Sequence, residues 1–174
     1  QEKFSNTLKL YDKQPEKVIG LFGMNLEKQL NLYPKADKFL SLEANPYFFN
    51  DQQQILNELP PLYKARFFIR NLNIMWLLLN PHPIHRNEVL RYDLWDLDFC
   101  CGLTTAREEF IEKVINLASN NSKDLRFTFS VSRASPPDAE GKVMKMLSPL
   151  QPVKIDSEYY MSRNLKFWTC QILW

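Results

Sequence analysis

The chain has 174 residues, 45% of them hydrophobic and 24% charged, with 22 basic against 20 acidic side chains and a net charge of +2. That is the length of one domain, with enough apolar material to bury a core unaided, so disordered, collagen-like and disulfide-scaffold classes are excluded. The charge excess is too small to imply a polyanionic partner by itself. With only 4 glycines against 11 prolines, each of Gly20, Gly23, Gly102 and Gly141 is expected to have a positional reason.

The three cysteines, Cys100, Cys101 and Cys170, are odd in number and lack zinc-ligand spacing. They predict a reducing, intracellular (cytoplasmic) setting and no resident metal. The longest apolar run, Ile74 to Leu79, is far below the roughly 20 residues of a membrane span. Residues 1–14 read as an N-terminal extension or helix without the layout of a secretion signal, ahead of a single α/β domain.

In chain order, Lys17 to Gly23 reads as a short buried strand ending in a glycine turn. The alternative is a helix with Val18, Phe22, Leu26 and Leu30 in one stripe; the two glycines favour the strand. Lys38 to Glu43 resembles a strand, and a helix from about Asn50 to Leu59 ends at Pro60-Pro61. Lys64 to Leu79 is either one buried helix or a strand near Arg66 to Arg70, an Asn-Leu-Asn turn and a helix.

Tyr92 to Phe99 is rich in strand formers and carries Asp93, Asp96 and Asp98. Thr105 and Glu108 have capping-box spacing and open a helix to Ala118. Leu125 to Arg133 alternates between Leu125, Phe127, Phe129 and Val131 on one side and Arg126, Thr128, Ser130 and Ser132 on the other, and reads as a strand. Ser135-Pro136-Pro137-Asp138 opens a helix carrying Val143, Met144 and Leu147. Val153 and Ile155 suggest a short strand. Leu165 to Trp174 is a long apolar one, reached through a turn at Ser162-Arg163-Asn164. Trp76, Trp95, Trp168 and Trp174 read as core aromatics.

Between Pro60 and Tyr92 the chain is locally basic, with Lys64, Arg66, Arg70, Arg86 and Arg91 against Glu88 alone. His82, His85 and Glu88 have a spacing that suits a metal on one helical face, but Pro81 and Pro83 argue against a regular helix there and favour a surface loop.

Alternating strands and helices ending in a hairpin give an α/β, doubly wound, mostly parallel sheet with a terminal antiparallel pair. From about Pro15 to Trp174 this order resembles the class I S-adenosylmethionine-dependent methyltransferases. Their glycine-rich first turn is matched by Ile19-Gly20-Leu21-Phe22-Gly23, and their ribose-binding acid by Glu43, 20 residues beyond Gly23. Asp96-Leu97-Asp98-Phe99-Cys100-Cys101-Gly102 is similar to the fourth motif of the tRNA guanine dimethyltransferases, with Phe99 where that motif has proline.

The resemblance implies S-adenosylmethionine as cofactor, held by Gly20, Phe22, Gly23 and Glu43, with Asn71 and Asn73 near the adenine. It implies that Asp98 and Asp96 stand at the reaction centre. The basic stretch adds an RNA or DNA substrate bound by Arg66, Arg70, Arg86 and Arg91. Two alternatives stay open: a non-catalytic α/β module covered by a protein partner, and a metal-dependent hydrolase using His82.

Overall fold

The structure, a computed structural model, describes residues 14–99, 101–131, 138–162 and 164–174. Residues 1–13 of the expected N-terminal extension or helix, Cys100, residues 132–137 and Arg163 therefore lie outside the described residues. Seven strands in the order β3-β2-β1-β4-β5-β7-β6 make the sheet. The chain divides into two compact units, one ending at Asp96 and the other running from Leu97 to Trp174.

In the first unit, β1 (Lys17–Gly20), β2 (Lys38–Leu42), β3 (Phe67–Arg70) and the start of β4 (Leu94–Asp98) are parallel. Strand β1 lies between β2 and β4, so the chain's winding reverses there, the position where open α/β sheets leave a crevice at their carboxyl ends. Val18, Ile19, Phe39, Leu40, Leu42, Leu94 and Trp95 are all buried, as expected of strands covered on both faces of a parallel sheet. Helix α1 (Leu26–Leu32) buries Leu26, Gln29 and Leu32. Helix α2 (Pro46–Glu58) is capped by Asn45, whose side chain accepts the Tyr47 amide proton, so it starts four residues before the expected Asn50. Proline at the first helical position is the reason, since its missing N–H is not needed there.

Between Pro61 and Leu79 the chain forms a short helix, α3 (Pro61–Lys64), then β3, then α4 (Ile74–Leu79) capped by Asn73. This is the strand-and-helix alternative. The region of the two histidines differs from expectation: α5 (Pro83–Val89) is helical, with Pro83 at its first position and His82 as N-cap. Proline breaks a helix only when it falls in the interior.

The second unit holds the end of β4, α6 (Thr105–Asn120), β5 (Asp124–Ser130), α7 (Ala139–Leu147), β6 (Lys154–Ser162) and β7 (Leu165–Leu173). Strands β5 and β6 both pair antiparallel with β7. Helix α6 buries Phe110, Ile111, Val114, Ile115 and Ala118, and Phe99, Phe127, Phe129 and Trp168 form a stacked aromatic row.

Two local expectations are corrected here, and the expected strand β5 proves buried more fully than its alternation suggests. The capping box is not formed: Thr104 is the N-cap of α6, without a side-chain bond, and Glu108 pairs with Lys142 of α7. Strand β5 is buried on both sides, Arg126 and Thr128 included, because Thr169 of β7 bonds both their side chains. Strand β6 is nine residues long rather than short, since it pairs with β7 from Lys154 to Ser162.

Candidate functional site

The carboxyl ends of β1, β2 and β3 bring three loops of the first unit together through named hydrogen bonds. After β1, Gly23 takes a left-handed backbone with φ +54°. A β-carbon added there would meet nothing within 4 Å, so this glycine serves a turn facing open space. Gly20 is different. A β-carbon there would press on the Asp96 carbonyl oxygen and stand 2.8 Å from Phe22 Cε1 and 3.1 Å from the Asp96 carbonyl carbon. It is glycine because β4 and the Phe22 ring pack directly against it.

Phe22 itself is buried and meets Phe39 edge to face, with ring centroids 6.0 Å apart. Its side chain belongs to the core, so only its backbone stands at the turn. The turn is anchored by Gln52 of α2, which is fully buried and donates to the Gly23 carbonyl at 2.7 Å while accepting from Ser41 Oγ at 3.2 Å. No spacing in the sequence marks Gln52, which sits in a run of three glutamines.

Glu43 immediately follows β2 and is half-buried. Its Oε1 accepts the Asn45 amide proton at 2.8 Å, which closes a turn into α2 and orients the carboxylate. Its backbone carbonyl accepts from Asn71 Nδ2 at 2.8 Å and from the Leu72 amide at 3.1 Å. Asn73 accepts from the Met75 and Trp76 amides and so fixes the start of α4. Gly23, Glu43, Asn71 and Asn73 therefore stand on adjoining loops, each held by polar bonds.

Asp93, just before β4, and Asp96 and Asp98 within it diverge in role. Asp93 accepts the amide protons of Glu16 and Lys17 at 3.1 and 3.0 Å, joining the starts of β4 and β1. Asp96 is buried and accepts from the Tyr33 hydroxyl at 2.7 Å. Asp98, in the second unit, is half-buried and close enough to Cys101 to influence its thiol. Burial pushes that thiol up; Arg107 opposes the rise and Asp98 adds to it. Cys101 donates to the Phe99 carbonyl at 2.7 Å, and Arg107 to the Gly102 carbonyl at 2.8 Å.

Of the four arginines expected to meet nucleic acid, two are engaged within the protein. Arg66 donates to the carbonyls of Pro34 and Ala36 and lies over the Phe39 ring. Arg70 pairs with Glu88 at 2.6 Å. Arg91 is exposed. Among the described residues, Nη1 of Arg86 is buried without a hydrogen-bond partner. Trp76 is not a core residue as expected, being 48% exposed, whereas Trp95 and Trp168 are fully buried.

A cleft of about 530 Å³ lies between α1 and α2, lined by Met24, Asn25, Lys28, Asn31, Ile55 and Glu58. None of the residues singled out from the sequence lines it. Among the described residues no group of three His, Cys, Asp or Glu side chains is arranged to hold a metal ion. No helix there is long and apolar enough to cross a membrane.

No protein-family model matches the sequence, and no curated protein matches it. Solved structures do resemble it. The METTL16 MTase domain superposes with a TM-score of 0.63 at 12% identity over 99% of this chain, which spans 65% of that one. Magnesium protoporphyrin IX methyltransferase (ChlM) from Synechocystis, with bound SAM, gives 0.66 at 11% identity over 99% of this chain and 78% of that one. The methyltransferase domain of bacterial CtHen1 gives 0.68 at 11% identity over 100% of this chain and 98% of that one. The strand order and the terminal antiparallel hairpin agree with these likenesses: the chain has the Rossmann-like fold of the class I S-adenosylmethionine-dependent methyltransferases.

Proposed function

We propose that the protein binds S-adenosylmethionine at the carboxyl ends of β1, β2 and β3 and directs its methyl group to a nucleic-acid acceptor. The observation that carries this reading is the arrangement of Gly23, Glu43 and Asn71. A left-handed glycine faces open space, and a carboxylate follows the next strand, its loop tied to the third strand's loop by Asn71. Such a set suits the cofactor's chemistry. Glu43 would accept the two ribose hydroxyl protons as charge-assisted bonds, the backbone at Gly23 would let the amino-acid arm approach, and the Asn71 side-chain amide, whose Nδ2 is bonded to the Glu43 carbonyl, would offer its oxygen to the adenine. ChlM, with the same fold, carries bound SAM.

When bound, the cofactor supplies an electrophilic sulfonium methyl; what the chain contributes is position. Asp98 is the candidate to orient the acceptor and take its proton. Asp96, its carboxylate held by Tyr33, is assigned the supporting role of fixing the β4 end. The basic stretch favours an RNA or DNA substrate, with Arg86 and Arg91 as the contacts, since Arg66 and Arg70 are occupied.

Calorimetric titration with S-adenosylmethionine and S-adenosylhomocysteine tests the cofactor reading. Saturable binding is expected, weakened in Glu43→Ala by about tenfold or more, the worth of a charge-assisted hydrogen-bond pair. Equal affinity in the variant would remove Glu43 from the site. No binding to folded protein at millimolar ligand would remove the cofactor proposal and leave the fold.

A further inference from the structure

Resting on the nucleic-acid reading above, we propose that Trp76, His85 and His82 form a stacking platform for the unpaired bases of a single-stranded nucleic acid. Trp76 stands in the first turn of α4 and exposes 48% of its surface. Its ring centroid is 4.8 Å from that of His85 at an interplanar angle of 67°, and His85 is 5.8 Å from His82 at 57°. The three rings thus form one aromatic cluster, set edge-on or tilted to one another rather than coplanar. His82 is exposed and His85 half-buried.

The platform is held by its own backbone chemistry. Asn73 accepts from the Trp76 amide at 3.2 Å, Asn80 from the His82 amide at 2.9 Å, and His82 Nδ1 from the Ile84 amide at 3.3 Å. Pro81 and Pro83 flank His82 and restrict its backbone. Little ordering is left to pay for on binding, the condition under which an exposed aromatic contributes most.

Charge decides what the rings would stack against. From Leu59 to Asn87 the chain has no Asp or Glu, while Lys64, Arg66, Arg70, Arg86 and both histidines of the protein fall in that stretch. The next acid, Glu88, is neutralised by Arg70 at 2.6 Å. Beyond α5 stands the exposed Arg91, and within it Arg86. Exposed rings in a segment that carries arginines and lacks acids complement a ligand that is anionic along its backbone and flat at its bases. A duplex hides those base faces in its own stack, whereas a single strand presents them.

The test is fluorescence anisotropy with short labelled oligouridylate and oligothymidylate, and with a duplex of matched length, on the full chain. Trp76→Ala, an exposed substitution whose fold circular dichroism checks, is expected to weaken single-strand binding about tenfold while leaving the salt dependence unchanged, because stacking releases no counterions. Trp76→Phe should retain most of the affinity. Arg86→Glu with Arg91→Glu should weaken binding and flatten its salt dependence. Single-strand binding that Trp76→Ala leaves intact, or preference for the duplex, overturns the platform while the nucleic-acid reading stands. Failure of the wild-type chain to bind any oligonucleotide overturns both. The calorimetric titration judges the cofactor reading separately.

Discussion

Replacing Gly20 by alanine places a methyl group where β1 and β4 pack backbone to backbone. The new carbon would overlap the Asp96 carbonyl oxygen, which also accepts the Leu21 amide proton at 3.1 Å, and stand 2.8 Å from Phe22 Cε1. Neither neighbour yields easily, since one is main chain in a strand pair and the other a buried ring. Overpacking in such places costs about 1–3 kcal/mol. The upper end applies here, because relief requires moving a strand. For a chain of this size about 3 kcal/mol lowers the melting temperature by about 6–12 °C. Gly23→Ala provides the contrast. It meets no atom within 4 Å and loses only the ease of φ +54°, about 1 kcal/mol, or about 2–4 °C. Scanning calorimetry and urea denaturation of both variants read the difference. Gly20→Ala melting within about 2 °C of the wild type, or Gly23→Ala melting lower than Gly20→Ala, would refute the assignment of packing to one glycine and open approach to the other.

The remaining predictions concern buried polar and thiol groups. Tyr33→Phe removes the hydroxyl bonded to the buried Asp96 carboxylate and should cost about 2 kcal/mol by urea denaturation; an unchanged midpoint would mean that other partners suffice. Cys170 is buried in β7, and burial pushes its thiol up from 9.0 to about 12. The raised folded-state value gives stability that is full below pH 9 and is lost as pH rises towards 12. Wild-type stability should therefore fall more steeply than that of Cys170→Ala over this range, and parallel profiles would contradict it. Asp98→Asn removes a charge that raises the Cys101 thiol. With Cys100 replaced by serine, iodoacetamide should then alkylate Cys101 faster at neutral pH, while an unchanged rate would place Asp98 away from it.

Strand and helix order was legible wherever burial and local chemistry agree. Lys38 to Leu42 and Leu94 to Asp98 read as strands through bulky apolar residues that the parallel sheet buries, and Lys17 to Gly20 was distinguished from a helix only through its glycines. The alternation in β5 identified the strand but not its full burial. Arg126 and Thr128 look like a solvated face until Thr169, 41 residues beyond Thr128, arrives on the neighbouring strand to bond them. Pro83 read as a break, yet it sits at the first helical position of α5, as Pro46 does in α2, where the cap residues His82 and Asn45 mark the start. Composition made Trp76 a core residue, and nothing local could show that α4 turns that side outward. Of the site, the Gly23 turn and Glu43 were visible as a spacing. Gln52 and Tyr33, which hold the Gly23 loop and Asp96, were not, because each acts across a distance in sequence that no motif spans.

The most direct measurement is a crystal structure of the protein with S-adenosylhomocysteine. The expected result is a ribose whose two hydroxyls donate to the Glu43 carboxylate, with the amino-acid arm passing Gly23 and the adenine beside Asn71. Ligand density elsewhere, such as in the cleft between α1 and α2, or a Glu43 side chain turned away from the bound nucleoside, would contradict the proposed cofactor site.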